Sequence, residues 1–207
     1  RLWDPDGVTG APAGRPARRW ATALLAGLFA LPASAADGPR DFIATVEARL
    51  RAARALPDAP ARGAACRTLL AEAFDAQALA QAAAGALWDR LDAPQRTAMV
   101  AATARRLGRE CPALLARPDT AAPEVLRERP AGAGQRIVTR LARADGSSIM
   151  LVWAVVPGGP LGWRMADLVA DGIGTAATLR SEFEALLAVR DGDAGAAIAD
   201  LAAGRRR

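Results

Sequence analysis

The sequence predicts an α+β fold in which helices flank a small antiparallel sheet. Apolar residues recur at helical spacing between residues 42 and 111. Strand-like runs joined by turn residues follow between 135 and 169, and helical spacing returns between 175 and 201. We therefore expect helices, then strands linked by short turns, then helices, with the helices on one side of a twisted sheet.

Four helices are predicted before the strands. The apolar stripe of the first helix consists of Ile43, Val46 and Leu50. This helix should end before Pro57, and the next carries Cys66, Leu69 and Leu70. Asp75 is a predicted N-cap for an alanine-rich helix, and Asp92 with Gln95 resembles a capping box. The helix that begins there is expected to end at Pro112.

Three strands should form an antiparallel meander. The segment Gln135–Ala144 alternates and is rich in β-branched residues, and Asp145-Gly146 is a strong hairpin signal. The run Ile149–Val156 is continuously apolar, which predicts that both of its faces are covered. A further strand is expected over Trp163–Val169.

Two helices are predicted at the end of the chain. Thr175 can cap the first of them and Asp193 the second. Their apolar stripes consist of Leu179, Phe183, Leu186 and Leu187 in one helix and Ile198 and Leu201 in the other.

The first 35 residues are typical of a secretory signal peptide preceded by a disordered lead. The basic pair Arg18 and Arg19 precedes the apolar run Trp20–Leu31, and the small residues Ala33–Ala35 follow. That run is shorter than the roughly 20 residues that span a bilayer. We expect cleavage near Ala35 and export to the periplasm by either the general or the twin-arginine route; the alternative is a buried N-terminal helix.

The predicted mature chain comprises one α+β domain over residues 36–204 and a basic tail over 205–207. The formal net charge of the whole chain is +5. No basic stripe with interleaved aromatic residues is present, so nucleic-acid binding is not expected. The tail should be solvated or make a weak contact with anionic headgroups.

The composition argues against an enzyme. The chain has no His and no Lys, so the commonest general base, the commonest metal ligand and the Schiff-base amine are missing. We predict no catalytic residue, no metal and no cofactor. Asp167 and Asp171 could suggest paired carboxylates, but Asp171 opens a glycine turn and Asp167 should bond to a neighbouring loop.

Cys66 and Cys111 form a candidate disulfide, because an even number of cysteines in an oxidising compartment favours pairing. Both fall on predicted helices, and a bridge would tie those helices together. Two buried thiols that never meet are the alternative, since the sequence cannot test the distance that a bridge needs.

The order of several short motifs resembles a known family. The motifs are Leu69-Leu70-x-x-x-Phe74-Asp75, Trp88, Gln95-Arg96, Asp145-Gly146, Trp163-Arg164-x-x-Asp167, Asp171-Gly172 and Leu179-Arg180-Ser181-x-Phe183. Together they are similar to the periplasmic phospholipid-binding component of the Mla system, MlaC. That family also includes toluene-tolerance auxiliary proteins and a hopanoid-associated branch. The similarity extends from about Phe42 to Leu201.

The resemblance implies a lipid carrier built on a curved antiparallel sheet of about four strands, backed by N- and C-terminal helices. Acyl tails of a phospholipid would occupy an apolar cavity between sheet and helices, with the headgroup exposed, and the protein would contact the membrane transiently. The carrier would shuttle lipid between an inner-membrane ABC transporter complex and an outer-membrane lipoprotein–porin complex. Trp153 stands where the family usually has Tyr. A different apolar cargo, such as a hopanoid-related one, or an envelope interaction module without cargo therefore remains an alternative.

We predict nine lipid-contacting residues, any of which could instead be plain core. They are Leu87, Trp88, Met99, Val138, Met150, Val152, Ala154, Met165 and Phe183. On the central strand Met150, Val152 and Ala154 share one face, and we assign that face to the cavity although the sequence does not distinguish it from the other. Arg180 could meet a phosphate or a partner's carboxylate, or it could pair with Glu184 at i+4.

Overall fold

The computed structural model describes residues 36–117, 122–143 and 145–205. The predicted disordered lead and signal peptide, residues 1–35, lie outside this part of the chain. The helices before the sheet are α1 (Pro39–Arg54), α2 (Ala59–Ala73), α3 (Ala76–Ala84), a 3₁₀ helix (Gly85–Arg90), α4 (Ala93–Gly108) and α5 (Cys111–Ala116). The strands are β1 (Glu124–Ala131), β2 (Gly134–Ala142), β3 (Ser148–Pro157), β4 (Trp163–Ala170) and β5 (Ile173–Gly174), followed by α6 (Thr175–Val189) and α7 (Ala194–Ala203). The predicted order of helices, sheet and helices is confirmed.

Side-chain caps set the start of several helices. The Asp75 carboxylate accepts a hydrogen bond from the Ala78 amide, and Asp92 forms the expected capping box with Gln95. Asp193 caps α7 in the same way, through the Ala196 amide. These interactions satisfy amides that have no partner inside the helix.

Two predicted helix ends are wrong. The fourth helix ends at Gly108, and Pro112 lies in the first turn of the separate helix α5, where its missing N–H costs nothing. Thr175 does not cap α6, because its hydroxyl donates to the Leu168 carbonyl at 3.0 Å. The Asp167 carboxylate serves the N-terminus of α6 instead and accepts from the Ala176 amide at 3.0 Å.

The sheet is an antiparallel meander of five strands in the order β1-β2-β3-β4-β5. The sequence analysis missed β1, because this edge strand is rich in charged residues and mostly exposed and so lacks an apolar alternation. It also missed β5, which has two residues. Register shifts occur between Val125 and Arg127 and between Ala154 and Val155, and such irregularities bend the strands that carry them.

Only one face of β3 is fully buried. Leu151, Trp153 and Val155 are buried beneath the helices, whereas Met150 on the opposite face is 38% exposed. Val152 on that face is only partly buried. The expectation that both faces are covered is therefore wrong for the described part of the chain.

Cys66 and Cys111 form a disulfide, with their Cα atoms 5.8 Å apart. The bridge joins α2 to the start of α5. Helix α5 has only six residues, too few to be stable by itself in water. The disulfide and the hydrogen bonds that Arg54 Nε and Nη2 donate to the Leu114 carbonyl, at 3.3 and 3.0 Å, help to position it, as does the packing of Leu114 and Leu115 against the core.

Asp200 on α7 joins the two ends of the C-terminal helical segment. Its Oδ2 accepts from Arg190 Nε at 2.6 Å, and its Oδ1 accepts from Arg205 Nη1 at 2.9 Å. Arg205, the first residue of the predicted basic tail, therefore has a partner within the fold; residues 206–207 lie outside the described chain. The hydrogen bond from Arg190, and then that from Arg205, hold the pKa of Asp200 below its ordinary value.

This lowered pKa predicts an acid-dependent loss of stability. Because the carboxyl has a lower pKa in the folded than in the unfolded chain, its contribution is complete above the unfolded pKa and is lost as the pH falls through the folded value. We expect Asp200→Asn to have a lower urea midpoint than the wild type at pH 7. The difference between the two midpoints should become smaller as the pH falls toward about 3, because the wild type then loses the contribution of the carboxylate. Equal differences between the two proteins at both pH values would contradict this linkage.

Candidate functional site

A cavity of about 680 Å³ lies between the sheet and the helices. This volume is in the range of small-molecule binding sites. The sheet contributes the residues Leu141, Ile149, Leu151, Trp153, Met165, Leu168, Ala170, Ile173 and Gly174. The helices contribute the apolar residues Val46, Leu50, Leu69, Leu70, Leu107, Leu114 and Leu179, with Phe74 after α2. The lining is thus dominated by aliphatic and aromatic side chains.

Trp153 forms an apolar part of this wall although it carries a polar atom. Its indole Nε1 donates a hydrogen bond to the Thr139 hydroxyl at 2.9 Å, and both residues are buried. The donor is therefore satisfied inside the sheet and needs no partner in the cavity. The ring can present hydrocarbon surface to a guest molecule.

The cation Arg106 on the lining is paired with carboxylates of the protein. Arg106 on α4 bonds to Glu110 and, through Nε, to Glu182 Oε2 at 2.6 Å. Burial acts to lower the pKa of Arg106, but the hydrogen bonds that Arg106 donates to Glu110 and Glu182 outweigh it and raise the pKa. The guanidinium therefore stays charged and is occupied by these two carboxylates.

Charged residues with greater solvent exposure also line the cavity. The Arg143 side chain is 48% exposed, and its Nη2 lies 3.7 Å from Asp171 Oδ2. Arg117 and Asp145 also line the cavity. Asp145 is occupied by its own turn, since its Oδ1 accepts from the Ser147 amide and hydroxyl.

Glu47 is a lining residue that the sequence analysis missed. Its carboxylate belongs to α1, within the buried stripe that includes Ile43, Val46 and Leu50. The signal was present in the sequence, because a charged residue at an apolar position of an amphipathic helix is unusual.

The structure brings only one of the nine predicted lipid-contacting residues, Met165, to this cavity. Met150, Val152 and Ala154 lie on the opposite face of β3, as does Val138, which pairs with Val152 on the neighbouring strand. The assignment of these four residues to the cavity lining is therefore corrected. Both faces of the run are apolar, and the covering helices decided which face became the inner one.

The predicted helical residues also lie elsewhere. Met99 and Phe183 are fully buried and belong to the packed core. Leu87 and Trp88 lie in the 3₁₀ helix, partly buried against the core. The Arg96 guanidinium is 5.8 Å from the centre of the Trp88 ring. None of these four is on the cavity lining.

Arg180 has a structural role that neither sequence-based alternative included. Its Nε and Nη2 donate to the Ala82 carbonyl at 2.9 and 2.7 Å, respectively. Carbonyls in the last turn of a helix lack partners within that helix, and Ala82 is in the last turn of α3. Arg180 therefore connects α6 to the end of α3.

The two aspartates considered as acid–base candidates accept backbone hydrogen bonds instead. Asp167 accepts from the Leu168 amide on its own strand and from the Ala176 amide in the first turn of α6, and not from a loop as the sequence analysis expected. Asp171 Oδ1 accepts from the Met150 amide at 3.1 Å.

Across residues 36–117, 122–143 and 145–205, no helix is long and apolar enough to span a bilayer.

Comparisons with known proteins agree with this architecture. The model of the MlaC protein family matches residues 40–203. Among solved structures, the chain is similar to the phospholipid-binding protein from Ralstonia solanacearum in complex with a phospholipid, with 20% sequence identity and a TM-score of 0.58. That alignment covers 78% of this chain and 89% of the other and shows a shared fold. No curated protein matches the chain. Because the family model spans most of the sequence, the chain belongs to the MlaC family.

Proposed function

We propose that this protein is a periplasmic phospholipid carrier that holds acyl chains in the cavity between its sheet and helices. The observation that carries the proposal is the cavity itself, about 680 Å³ with a predominantly apolar lining. A fold selected only for stability would fill such a space with its own side chains, because empty apolar volume is destabilising.

The energetics of such a carrier follow from hydrocarbon transfer. Exposing one CH₂ group to water costs about 0.8 kcal/mol, so covering ten of them offsets about 8 kcal/mol. A carrier needs this dry surface and no catalytic group. The carboxylates Asp167 and Asp171 are occupied by backbone amides, and we propose binding and transport rather than catalysis.

Membership of the MlaC family and the fold shared with a phospholipid-bound protein support phospholipid as the cargo. The predicted signal peptide supports a periplasmic location. The Cys66–Cys111 disulfide is in keeping with that location, since such bonds persist in oxidising compartments.

We further propose that the protein exchanges lipid with an inner-membrane ABC transporter complex and an outer-membrane lipoprotein–porin complex. The support for these partners is the resemblance to the Mla-system component. The carrier would dock transiently at each complex, because a permanent attachment would prevent shuttling.

The direct test is to purify the protein from the periplasm and identify extracted ligands by mass spectrometry. We expect phospholipid in amounts comparable to the protein. Protein that is free of lipid and also takes none from phospholipid vesicles would overturn the proposal. A hopanoid or another apolar molecule in place of phospholipid would overturn the cargo and leave the cavity's role intact.

A further inference from the structure

Exposed apolar side chains are concentrated at one end of the sheet. This end, which we call the hairpin end, consists of the last residues of β2 and β4 and the first residues of β1, β3 and β5. Four large apolar residues are exposed in the described chain, and three of them, Leu126, Met150 and Ile173, lie near this end. Single exposed apolar residues are ordinary, but several at one place indicate a contact surface.

Ile173 belongs both to the surface and to the cavity. The residue is 70% exposed, and it also lines the cavity. It pairs with Ala170, another lining residue, at the edge of the sheet. A hydrocarbon chain that moves past Ile173 therefore keeps contact with apolar surface on its way to the cavity, which reduces the cost of crossing water.

Backbone hydrogen bonds hold Met150 beside the turn that precedes Ile173. The Asp171 amide donates to the Met150 carbonyl at 3.0 Å, and the Met150 amide donates to Asp171 Oδ1 at 3.1 Å. Met150 lies on the outer face of the sheet, whereas Ile173 lines the cavity. The exposed apolar surface thus extends around the end of the sheet. A fluid bilayer can cover both sides of such an edge, whereas a flat protein surface would cover only one.

The arginines at this end are matched by carboxylates. Arg140 bonds to Glu124 with its side chain 51% exposed, and Arg143 lies near Asp171. Asp145, in the turn between β2 and β3, adds a further negative charge. Exposed pairs contribute little to stability, so a guanidinium can exchange its carboxylate for a lipid phosphate at small cost. Because the charges are matched, we expect the contact to depend on apolar insertion and not on net charge.

We propose that the hairpin end is the surface with which the carrier contacts a phospholipid bilayer, and that Met150 and Ile173 insert between the headgroups and the acyl chains. This inference rests on the proposed function, because it assigns the place where a lipid leaves the bilayer for the cavity. The acyl tails would pass Ile173 into the cavity, and the headgroup would stay outside it.

The test places a fluorescent reporter at Met150, which does not line the cavity and so does not contact cargo inside it. The two native cysteines are bonded to each other, so Met150→Cys in the full-length mature protein supplies one thiol for an environment-sensitive dye. Vesicles of phosphatidylethanolamine and phosphatidylglycerol contain a spin-labelled phospholipid as quencher. We expect these vesicles to quench the dye equally at low and at high salt, because apolar insertion is not screened.

Val189→Cys is the matched control for the reporter. Val189 is also a large exposed apolar residue, at 55%, but it lies at the end of α6 and not on the sheet. The same dye at this position should not be quenched by the same vesicles.

A charge at the hairpin end should slow loading. Met150→Glu brings a carboxylate to the proposed membrane-facing surface, and a carboxylate is costly to insert into a bilayer. We expect the initial rate of phospholipid uptake from vesicles to fall about tenfold. The final amount of bound lipid should equal that of the wild type, because Met150 is outside the cavity lining. Val189→Glu should load at the wild-type rate.

The outcomes separate the two proposals. If the protein loads lipid but the dye at position 150 is not quenched, or Met150→Glu loads at the wild-type rate, the membrane role of the hairpin end is overturned and the carrier function stands. Quenching that needs membrane proteins in the vesicles would show a protein partner, and quenching lost at high salt would show adsorption by charge; each would also overturn the role. A wild type that takes up no lipid would overturn the carrier function itself.

Discussion

Filling the cavity from its sheet side should abolish lipid loading. Ala170 lies on β4 opposite Leu151 and lines the cavity, so Ala170→Trp places an indole in the space assigned to acyl chains. Displacing only two CH₂ groups into water costs about 1.6 kcal/mol, and every 1.4 kcal/mol is a factor of ten in affinity. We expect at least a tenfold loss of co-purified phospholipid, measured by extraction and mass spectrometry.

The matched control is a tryptophan on the other face of the same sheet. Val152→Trp adds the same ring at a partly exposed position that does not line the cavity. This variant should keep its lipid, and both variants should keep the far-ultraviolet circular dichroism of the wild type. If Ala170→Trp folds and carries as much lipid as Val152→Trp, the acyl chains do not occupy this cavity.

Among the substitutions considered, removing the disulfide should cause the largest decrease in the free energy of unfolding. Cys66 and Cys111 are 45 residues apart, and closing a loop of that length restricts the unfolded chain by an amount equivalent to about 4 kcal/mol in the chain-entropy model. We expect Cys66→Ser with Cys111→Ser to lower the free energy of unfolding by about 2–4 kcal/mol in delipidated protein. Urea titration followed by circular dichroism measures the difference.

A reducing agent provides the control for this prediction. Reduction should lower the urea midpoint of the wild type to that of the double variant and should leave the variant unchanged. Loss of the disulfide should also affect the cavity, because the bridge helps to position α5, which contributes Leu114 to the lining and is followed directly by the lining residue Arg117. A double variant as stable as the oxidised wild type would show that the bridge contributes nothing to folding.

The sequence correctly predicted those features that depend on interactions between neighbouring residues. Asp75, Asp92 with Gln95, and Asp193 cap helices as predicted, because a cap depends on a few consecutive residues. The hairpin at Asp145-Gly146 joins β2 to β3 for the same reason. Strand β1 was missed because an edge strand has no buried face to impose an apolar pattern.

The candidate site depended on contacts between distant segments. The sequence predicts a phosphate, a partner's carboxylate or Glu184 as the contact of Arg180, yet its side chain donates to the Ala82 carbonyl, 98 residues away. Met99 and Phe183 have large apolar side chains of the kind that line binding surfaces, but both are fully buried in the core. Glu47 could have been noticed on the stripe of α1, but only the folded chain places it on the wall of a cavity.

The amino-acid sequence by itself determined the succession of helices, sheet and helices, the aspartate caps of α3, α4 and α7, the family resemblance and the lack of His and Lys side chains. These properties depend on neighbouring residues or on residue types alone. The tertiary structure decided which face of β3 lines the cavity, which groups on its wall are neutralised and that Cys66 meets Cys111. Both faces of the apolar run 149–156 are hydrophobic, so its sequence does not indicate which face is buried. The helices that cover one face of the sheet determine this.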